Sequence, residues 1–148
     1  MEVQPDFRDL LALFNVHNVE YMIVSGYALA FHGAPRFTGD LDVFVKPDPE
    51  NAQRILEALE AFGFGSVGLT REDFERPDQV VELGVPPVRV DIITSLTGVS
   101  WDEACAGRIT GRYGEVPVYY IGRKQFIANK RATGRTKDLA DLEALGEE

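Results

Sequence analysis

The segment PRFTGDLDVFVKP, residues 35–47, places two carboxylates, Asp40 and Asp42, inside an otherwise apolar run. Residues 41–45 are rich in branched and aromatic side chains, which predicts a buried strand. Side chains two residues apart in a strand share a face, so the two aspartates stand side by side and repel each other. A bound divalent cation would remove that cost. The alternative is that one acid caps the strand and the other lies on a solvated face.

Hydrophobic periodicity divides the rest of the chain into helices and strands. Helices are predicted at 6–15, 26–33, 50–63, 101–108, 123–134 and 135–146. Strands are predicted at 19–25, 41–45, 66–70, 79–85, 88–95, 108–114 and 116–122, with 79–85 and 88–95 forming a hairpin around two prolines. This order predicts an α/β (α+β) fold, a mixed sheet flanked by helices, in a single domain over residues 1–148.

Composition narrows the class of protein. The chain has 148 residues, 45% of them hydrophobic, and we find no apolar run of the length that crosses a membrane. The acidic N-terminus does not resemble a signal peptide. The single cysteine, Cys105, excludes an internal disulfide framework and is typical of the cytoplasm.

The charge distribution is uneven. A net charge of −9 argues against an extensive nucleic-acid surface, yet residues 123–137 hold six basic side chains and no acid. Such a local positive segment on an acidic protein indicates a small anionic ligand such as a nucleotide. The alternative is a solvated helix face, which is the commoner fate of lysine-rich helices.

Two further features bear on the aspartate pair. Asp91 lies within the apolar run VRVDII, and it would converge with Asp40 and Asp42 if the two strands are neighbours. Alternatively, Asp91 is exposed or forms an ion pair with Arg89. At Ser25-Gly26 a predicted strand is followed by a predicted helix, and the free N–H groups at a helix start can bind phosphate. The alternative is an ordinary tight turn, which has the same sequence pattern.

The ordered set of Ser25-Gly26, Asp40-x-Asp42 and Asp91 resembles the polymerase-β-type nucleotidyltransferase superfamily. The stretch SGYALAFHGAPRFTGDLDVFV is similar to the AbiEii-type, stand-alone nucleotidyltransferases of toxin–antitoxin and phage-defence systems. Members of that branch carry a later lysine and a helix of the pattern R/K-x-x-D-x-x-D, which NKRATGRTKDLADL supplies through Lys130 and the residues after it.

The resemblance implies that Asp40, Asp42 and Asp91 bind Mg²⁺ or Mn²⁺, with Asp91 also as the base. It implies that the substrate is an NTP, and the substrate contacts that it assigns are Ser25, Gly26, Arg36, Thr38 and Lys130. The function predicted is transfer of an NMP to a hydroxyl of a protein side chain, an RNA 3′ end or a small molecule. The alternative is a catalytically degenerate module that binds a nucleotide or a protein partner. The turn reads Ser25-Gly26 where the superfamily has Gly-Gly or Gly-Ser, so close approach of a phosphate depends on one glycine.

Overall fold

The structure is a computed structural model and describes residues 3–34, 39–65 and 67–147. The helices are α1 (Pro5–Val16), α2 (Ser25–Phe31), α3 (Pro49–Leu59), α4 (Glu72–Glu75), α5 (Trp101–Gly107), α6 (Arg123–Thr133) and α7 (Thr136–Ala144). The strands are β1 (Tyr21–Val24), β2 (Asp40–Val45), β3 (Val80–Val85), β4 (Val88–Ile93), β5 (Ile109–Tyr113) and β6 (Val116–Tyr120). A π-helical segment, Glu60–Phe64, follows α3.

These strands form one mixed sheet in the order β3-β4-β2-β1-β6-β5. Strand β2 runs parallel to β4 and antiparallel to β1, and β1 runs parallel to β6. The pairs β3–β4 and β5–β6 are antiparallel hairpins. The predicted mixed sheet with flanking helices is therefore confirmed, as is the hairpin around Pro86-Pro87.

The strand predicted at 66–70 is wrong over residues 67–70, which form no strand, and Ser66 lies outside the described residues. Gly68 has a φ of +80°, which lies outside the extended region that a strand requires. Branched residues on either side of this glycine gave the segment the composition of a strand without its backbone.

The two faces of the sheet are covered differently. Tyr21 of β1 packs on Phe14 of α1 with ring centroids 5.6 Å apart, which marks the face that α1 covers. Phe44 of β2 lies on the opposite face and meets Trp101 of α5 at 5.1 Å. Because Phe44 and Asp42 are two residues apart, they share that second face. Among the described residues, none of the helices is both long and apolar enough to span a bilayer.

Asn51 connects the start of α3 to the sheet. Its fully buried amide accepts a hydrogen bond from the backbone N–H of Glu20 at 2.7 Å and donates to the carbonyls of Glu20 and Lys46, each at 3.0 Å. Its own backbone N–H donates to the carboxylate of Asp48, the N-cap of the helix. One side chain thereby fixes the helix against the residues that flank β1 and β2.

We expect Asn51→Ala to lower the free energy of unfolding by about 2–4 kcal/mol, because it leaves buried backbone groups without hydrogen-bond partners. Urea unfolding followed by circular dichroism measures the change. The control is Gln53→Ala, at an exposed position on the same helix, which should change stability by less than about 0.5 kcal/mol. Equal stabilities of the two variants would contradict this role of Asn51.

Candidate active site

The pairing of β2 with β4 brings the predicted carboxylates onto adjacent strands. Asp42 is the register partner of Asp91, and Asp40 is the partner of Arg89. Neighbouring strands are about 4.8 Å apart, and paired residues point to the same face. The adjacency of the two strands, on which the predicted cluster depends, is therefore confirmed. The catalytic and metal-binding roles of the three aspartates stay predictions.

The carboxyl of Asp42 has a raised pKa. Burial, together with the charges of Asp91 and Asp40, raises the pKa of Asp42 to about 6, although a hydrogen bond with the Ser25 side chain acts in the opposite direction. Its Oδ1 atom is buried and receives no hydrogen bond from any residue that the structure describes. A buried carboxylate oxygen without a donor is costly unless a water or an ion satisfies it.

Ser25 stands at the junction of β1 and α2 in an unusual backbone conformation. Its φ is +60°, in the left-handed region that favours glycine. Val24, the preceding residue, is the register partner of Asp42, which explains how the Ser25 hydroxyl reaches that carboxylate. Gly26 follows and is buried in α2, a helix of seven residues. The structure thus gives Ser25 a contact with Asp42, and its predicted contact with a phosphate stays a prediction.

The side chain of Arg89 lies among the carboxylates of this face. Its Nε and Nη2 atoms lie 2.9 and 3.1 Å from the two carboxylate oxygens of Asp91. Nη2 also lies 2.9 Å from a carboxylate oxygen of Glu82, and Nε lies 3.9 Å from one of Asp40. The ion pair between Arg89 and Asp91, weighed above as an alternative to a metal site, is present in the structure.

Glu82 is a member of this cluster that the sequence analysis did not identify. It lies on β3 as the register partner of Asp91 and on the same face. The sequence contains a signal for this position. A hairpin with a two-residue connection at Pro86-Pro87 pairs Val85 with Val88, and counting three residues away from the turn along each strand pairs Glu82 with Asp91.

The donor set of this face fits a hard divalent cation such as Mg²⁺ or Mn²⁺, which prefers oxygen ligands. The buried Oδ1 of Asp42 is an atom that such an ion would satisfy. Within the described residues, however, no three His, Cys, Asp or Glu side chains stand in an arrangement ready to hold an ion. Both oxygens of Asp91 face Arg89, so a metal ion at Asp91 would have to share that carboxylate with the guanidinium or displace it.

Lys130 lies in a different environment from the one predicted. It is 3% exposed, and its ammonium lies 3.3 Å from Asp138 and 3.5 Å from Asp141, both on α7. Burial raises the pKa of Asp138, but hydrogen bonds from Arg135 and Thr133 and the charge of Lys130 hold that pKa well below its usual range. As the side chains stand, Lys130 joins α6 to α7, and its contact with a nucleotide stays a prediction. Arg36 and Thr38 lie outside the described residues.

The sheet order, the flanking helices and the acids on adjacent strands define a nucleotidyltransferase-like fold. No protein-family model matches the sequence, and a search of curated proteins gives no match. The likeness to known proteins is therefore carried by solved structures.

The chain is similar to TM1012 of Thermotoga maritima, provisionally described as a nucleotidyltransferase, with a TM-score of 0.65 and 13% identity over 96% of this chain and 93% of the other. It is similar to the lincosamide antibiotic adenylyltransferase LnuA, solved with lincomycin bound, with a TM-score of 0.57 and 13% identity over 97% and 96% of the two chains. A nucleotidyltransferase-like antigenic protein of Paracoccidioides brasiliensis gives a TM-score of 0.55 and 16% identity over 97% and 75%.

Identities this low show a shared fold. Membership of the polymerase-β-type superfamily and the narrower AbiEii-type assignment therefore stay predictions.

We expect Asp42→Asn to stabilise the metal-free protein by about 1–3 kcal/mol at a pH near 7.5. In acid near pH 3, Asp42 is protonated in both the folded and the unfolded chain, so its ionisation does not lower the free energy of unfolding. As the pH rises to about 6 the unfolded chain loses this proton before the folded chain does, and the wild type loses stability. The gain from the substitution should therefore shrink as the pH falls from about 6 to about 4.

Urea unfolding in the presence of EDTA across this pH range measures the effect. Asp9→Asn, at an exposed position of α1, is the control and should show a difference within about 0.5 kcal/mol. A destabilised Asp42→Asn protein near pH 7.5 would contradict the account of Asp42.

We expect Ser25→Gly to be more stable than Ser25→Ala by about 1 kcal/mol, because both lose the hydroxyl and only glycine adopts a φ of +60° without strain. Thermal and urea unfolding of the two variants measure the difference. An alanine variant as stable as the glycine variant would show that the left-handed conformation at this position is not strained.

Proposed function

We propose that this protein transfers an NMP from an NTP to an acceptor hydroxyl and releases pyrophosphate. The observation that carries the proposal is the register of β2 with β4, which places Asp40, Asp42 and Asp91 on one face of a nucleotidyltransferase-like sheet. Paired carboxylates on adjacent strands suit the metal-assisted chemistry of nucleotidyl transfer.

Asp40, Asp42 and Asp91 would together hold Mg²⁺ or Mn²⁺. When bound, the divalent cation would supply charge neutralisation at the triphosphate and a lowered pKa of the acceptor hydroxyl. The partly buried position of Asp42 and Asp91 supports this assignment, since electrostatic effects are stronger where water is excluded.

The remaining substrate contacts in the proposal are Ser25, Gly26, Arg36, Thr38 and Lys130. Gly26 follows the turn at which β1 ends, next to Asp42, which supports a position near the phosphates for this turn. Lys130 would have to leave Asp138 and Asp141 to reach a nucleotide, so it is the least supported of the five.

In the proposed reaction, the acceptor oxygen attacks the α-phosphorus and the bond to the pyrophosphate oxygen breaks. The acceptor loses its proton to Asp91, which acts as the base. Arg89 donates one hydrogen bond to each oxygen of Asp91, so the proton would be accepted at a lone pair that these hydrogen bonds leave open.

The acceptor is proposed to be a small molecule that carries a hydroxyl, in preference to an RNA 3′ end or a protein side chain. The net charge of −9 disfavours a polyanionic acceptor. LnuA, whose structure holds lincomycin, is covered over 96% of its length by this chain, which supports a small-molecule acceptor. A cytoplasmic location belongs to the same proposal, whereas a role in a toxin–antitoxin or phage-defence system, with a protein partner, belongs to the second candidate below.

A second candidate is a module that binds a nucleotide or a partner without catalysis. The observation that favours it is the double contact of Arg89 with Asp91, which pairs that carboxylate with a cation of the chain itself.

The test uses NTPs labelled at the α-phosphate or the γ-phosphate, Mg²⁺, and pools of small metabolites, RNA and protein as acceptors. We expect the α-label, and not the γ-label, to move to an acceptor, and Asp42→Asn to reduce the rate by at least about 100-fold. Asp102→Asn, at an exposed position of α5, is the control and should keep full activity.

Failure of the α-label to reach any acceptor, combined with calorimetric binding of Mg-NTP, would favour the non-catalytic module. If neither transfer of the label nor binding of Mg-NTP is observed, both candidates are overturned.

A further inference from the structure

The guanidinium of Arg89 is shared between two carboxylates of unequal exposure. Its Nη2 atom donates both to Asp91, whose side chain is 14% exposed, and to Glu82, whose side chain is 60% exposed. Nε donates to the second oxygen of Asp91. The side chain thus bridges an inner carboxylate, beside Asp42, and an outer carboxylate at the edge of the sheet.

Arg89 lies among four carboxylates of neighbouring strands. Asp91 has Asp42 as its partner on one side and Glu82 on the other, so three acids stand in one row across three adjacent strands. Arg89 pairs with Asp40 in the next row. A guanidinium among these carboxylates offsets part of their mutual repulsion when no metal is bound.

A metal ion at Asp91 would bring a second cation against the carboxylate whose two oxygens Arg89 contacts, so the two cations would repel each other and compete for its negative charge. Loss of Asp91 does not leave Arg89 without a partner, because Nη2 already lies 2.9 Å from Glu82 and 30% of the arginine side chain is exposed. A buried arginine that lost its only carboxylate would resist release, whereas this one keeps a partner and gains water.

We propose that Arg89 is a removable counter-ion that competes with the divalent cation for Asp91, and that Glu82 retains the guanidinium when the cation binds. The proposal deepens the function above and rests on it. Arg89 thereby weakens metal binding, because it neutralises part of the carboxylate charge when no metal is bound and must leave Asp91 when a metal binds. Glu82 reduces this effect, since it is the alternative partner of the guanidinium.

The test measures Mn²⁺ binding to the full chain by calorimetry in wild type, Arg89→Met and Glu82→Gln. Arg89→Met keeps side-chain length and removes the charge, so we expect Mn²⁺ to bind about tenfold more tightly. Glu82→Gln removes the alternative partner of Arg89, so we expect weaker binding by several-fold. A charge effect without competition would give the same two signs, so the deciding variant is the double variant Arg89→Met/Glu82→Gln. If Glu82 acts by retaining the guanidinium, its loss should cost less Mn²⁺ affinity in the Arg89→Met background than in wild type.

Two controls locate the effect. Asp42→Asn should abolish Mn²⁺ binding, which assigns the measured site to the carboxylate face, and Arg112→Met, at an exposed position of β5, should leave the affinity unchanged. In EDTA, Arg89→Met should melt at a lower temperature than wild type. Addition of Mn²⁺ should remove this difference in melting temperature.

Equal or weaker Mn²⁺ binding by Arg89→Met, with binding by wild type intact, would overturn the role of Arg89 and leave the proposed function standing. If Arg89→Met does not fold, Glu82→Gln decides, and unchanged or tighter binding there overturns the proposal. Absence of Mn²⁺ binding in wild type and variants at millimolar metal, or binding that survives Asp42→Asn, would overturn the metal-dependent function itself.

Discussion

The register between strands β2 and β4 is the constraint on which the candidate site depends. Leu41 pairs with Val90 and Val43 with Ile92, and these buried apolar pairs face the helices on one side of the sheet. A slip of one residue would move every side chain of a strand to the other face, which would bury acids among the core side chains and expose the aliphatic ones. The hydrophobic core therefore positions Asp42 beside Asp91, and the site needs no separate device to hold its carboxylates in place.

The close placement of these carboxylates lowers the free energy of unfolding, and other side chains of the protein offset part of that loss. The side chain of Ser25 forms a hydrogen bond with Asp42, and Arg89 neutralises part of the charge of Asp91. The offset is incomplete, since one oxygen of Asp42 is buried without a donor and the pKa of that carboxyl is raised. Residual strain of this kind concentrates where a protein binds a ligand, because a ligand that relieves it gains affinity.

Much of this fold could be predicted from the sequence, because the alternation that marks a strand follows from local geometry. That alternation also gave the shared face of Asp40 and Asp42. Features that depend on distant partners could not be read in the same way. Lys130 belongs to a basic segment that predicts a solvated helix face or an anion site, yet it is buried by Asp138 and Asp141 on the next helix. The left-handed backbone at Ser25 has no sequence signal either, since residues other than glycine seldom adopt it.

The burial of Lys130 limits which substitutions the pair of helices α6 and α7 can accept. Removal of one member of a buried ion cluster leaves the others uncompensated, whereas replacement of all of them by apolar side chains can be neutral. Loss of Lys130 removes a buried cation from two carboxylates at once, Asp138 and Asp141, whereas loss of one aspartate leaves the lysine with the other. Arg135 and Thr133 also bind Asp138, so Asp138 keeps partners when Lys130 is replaced. Substitution of Lys130 is therefore expected to be tolerated best when Asp141 changes with it, while exposed positions of the same helices are free to vary.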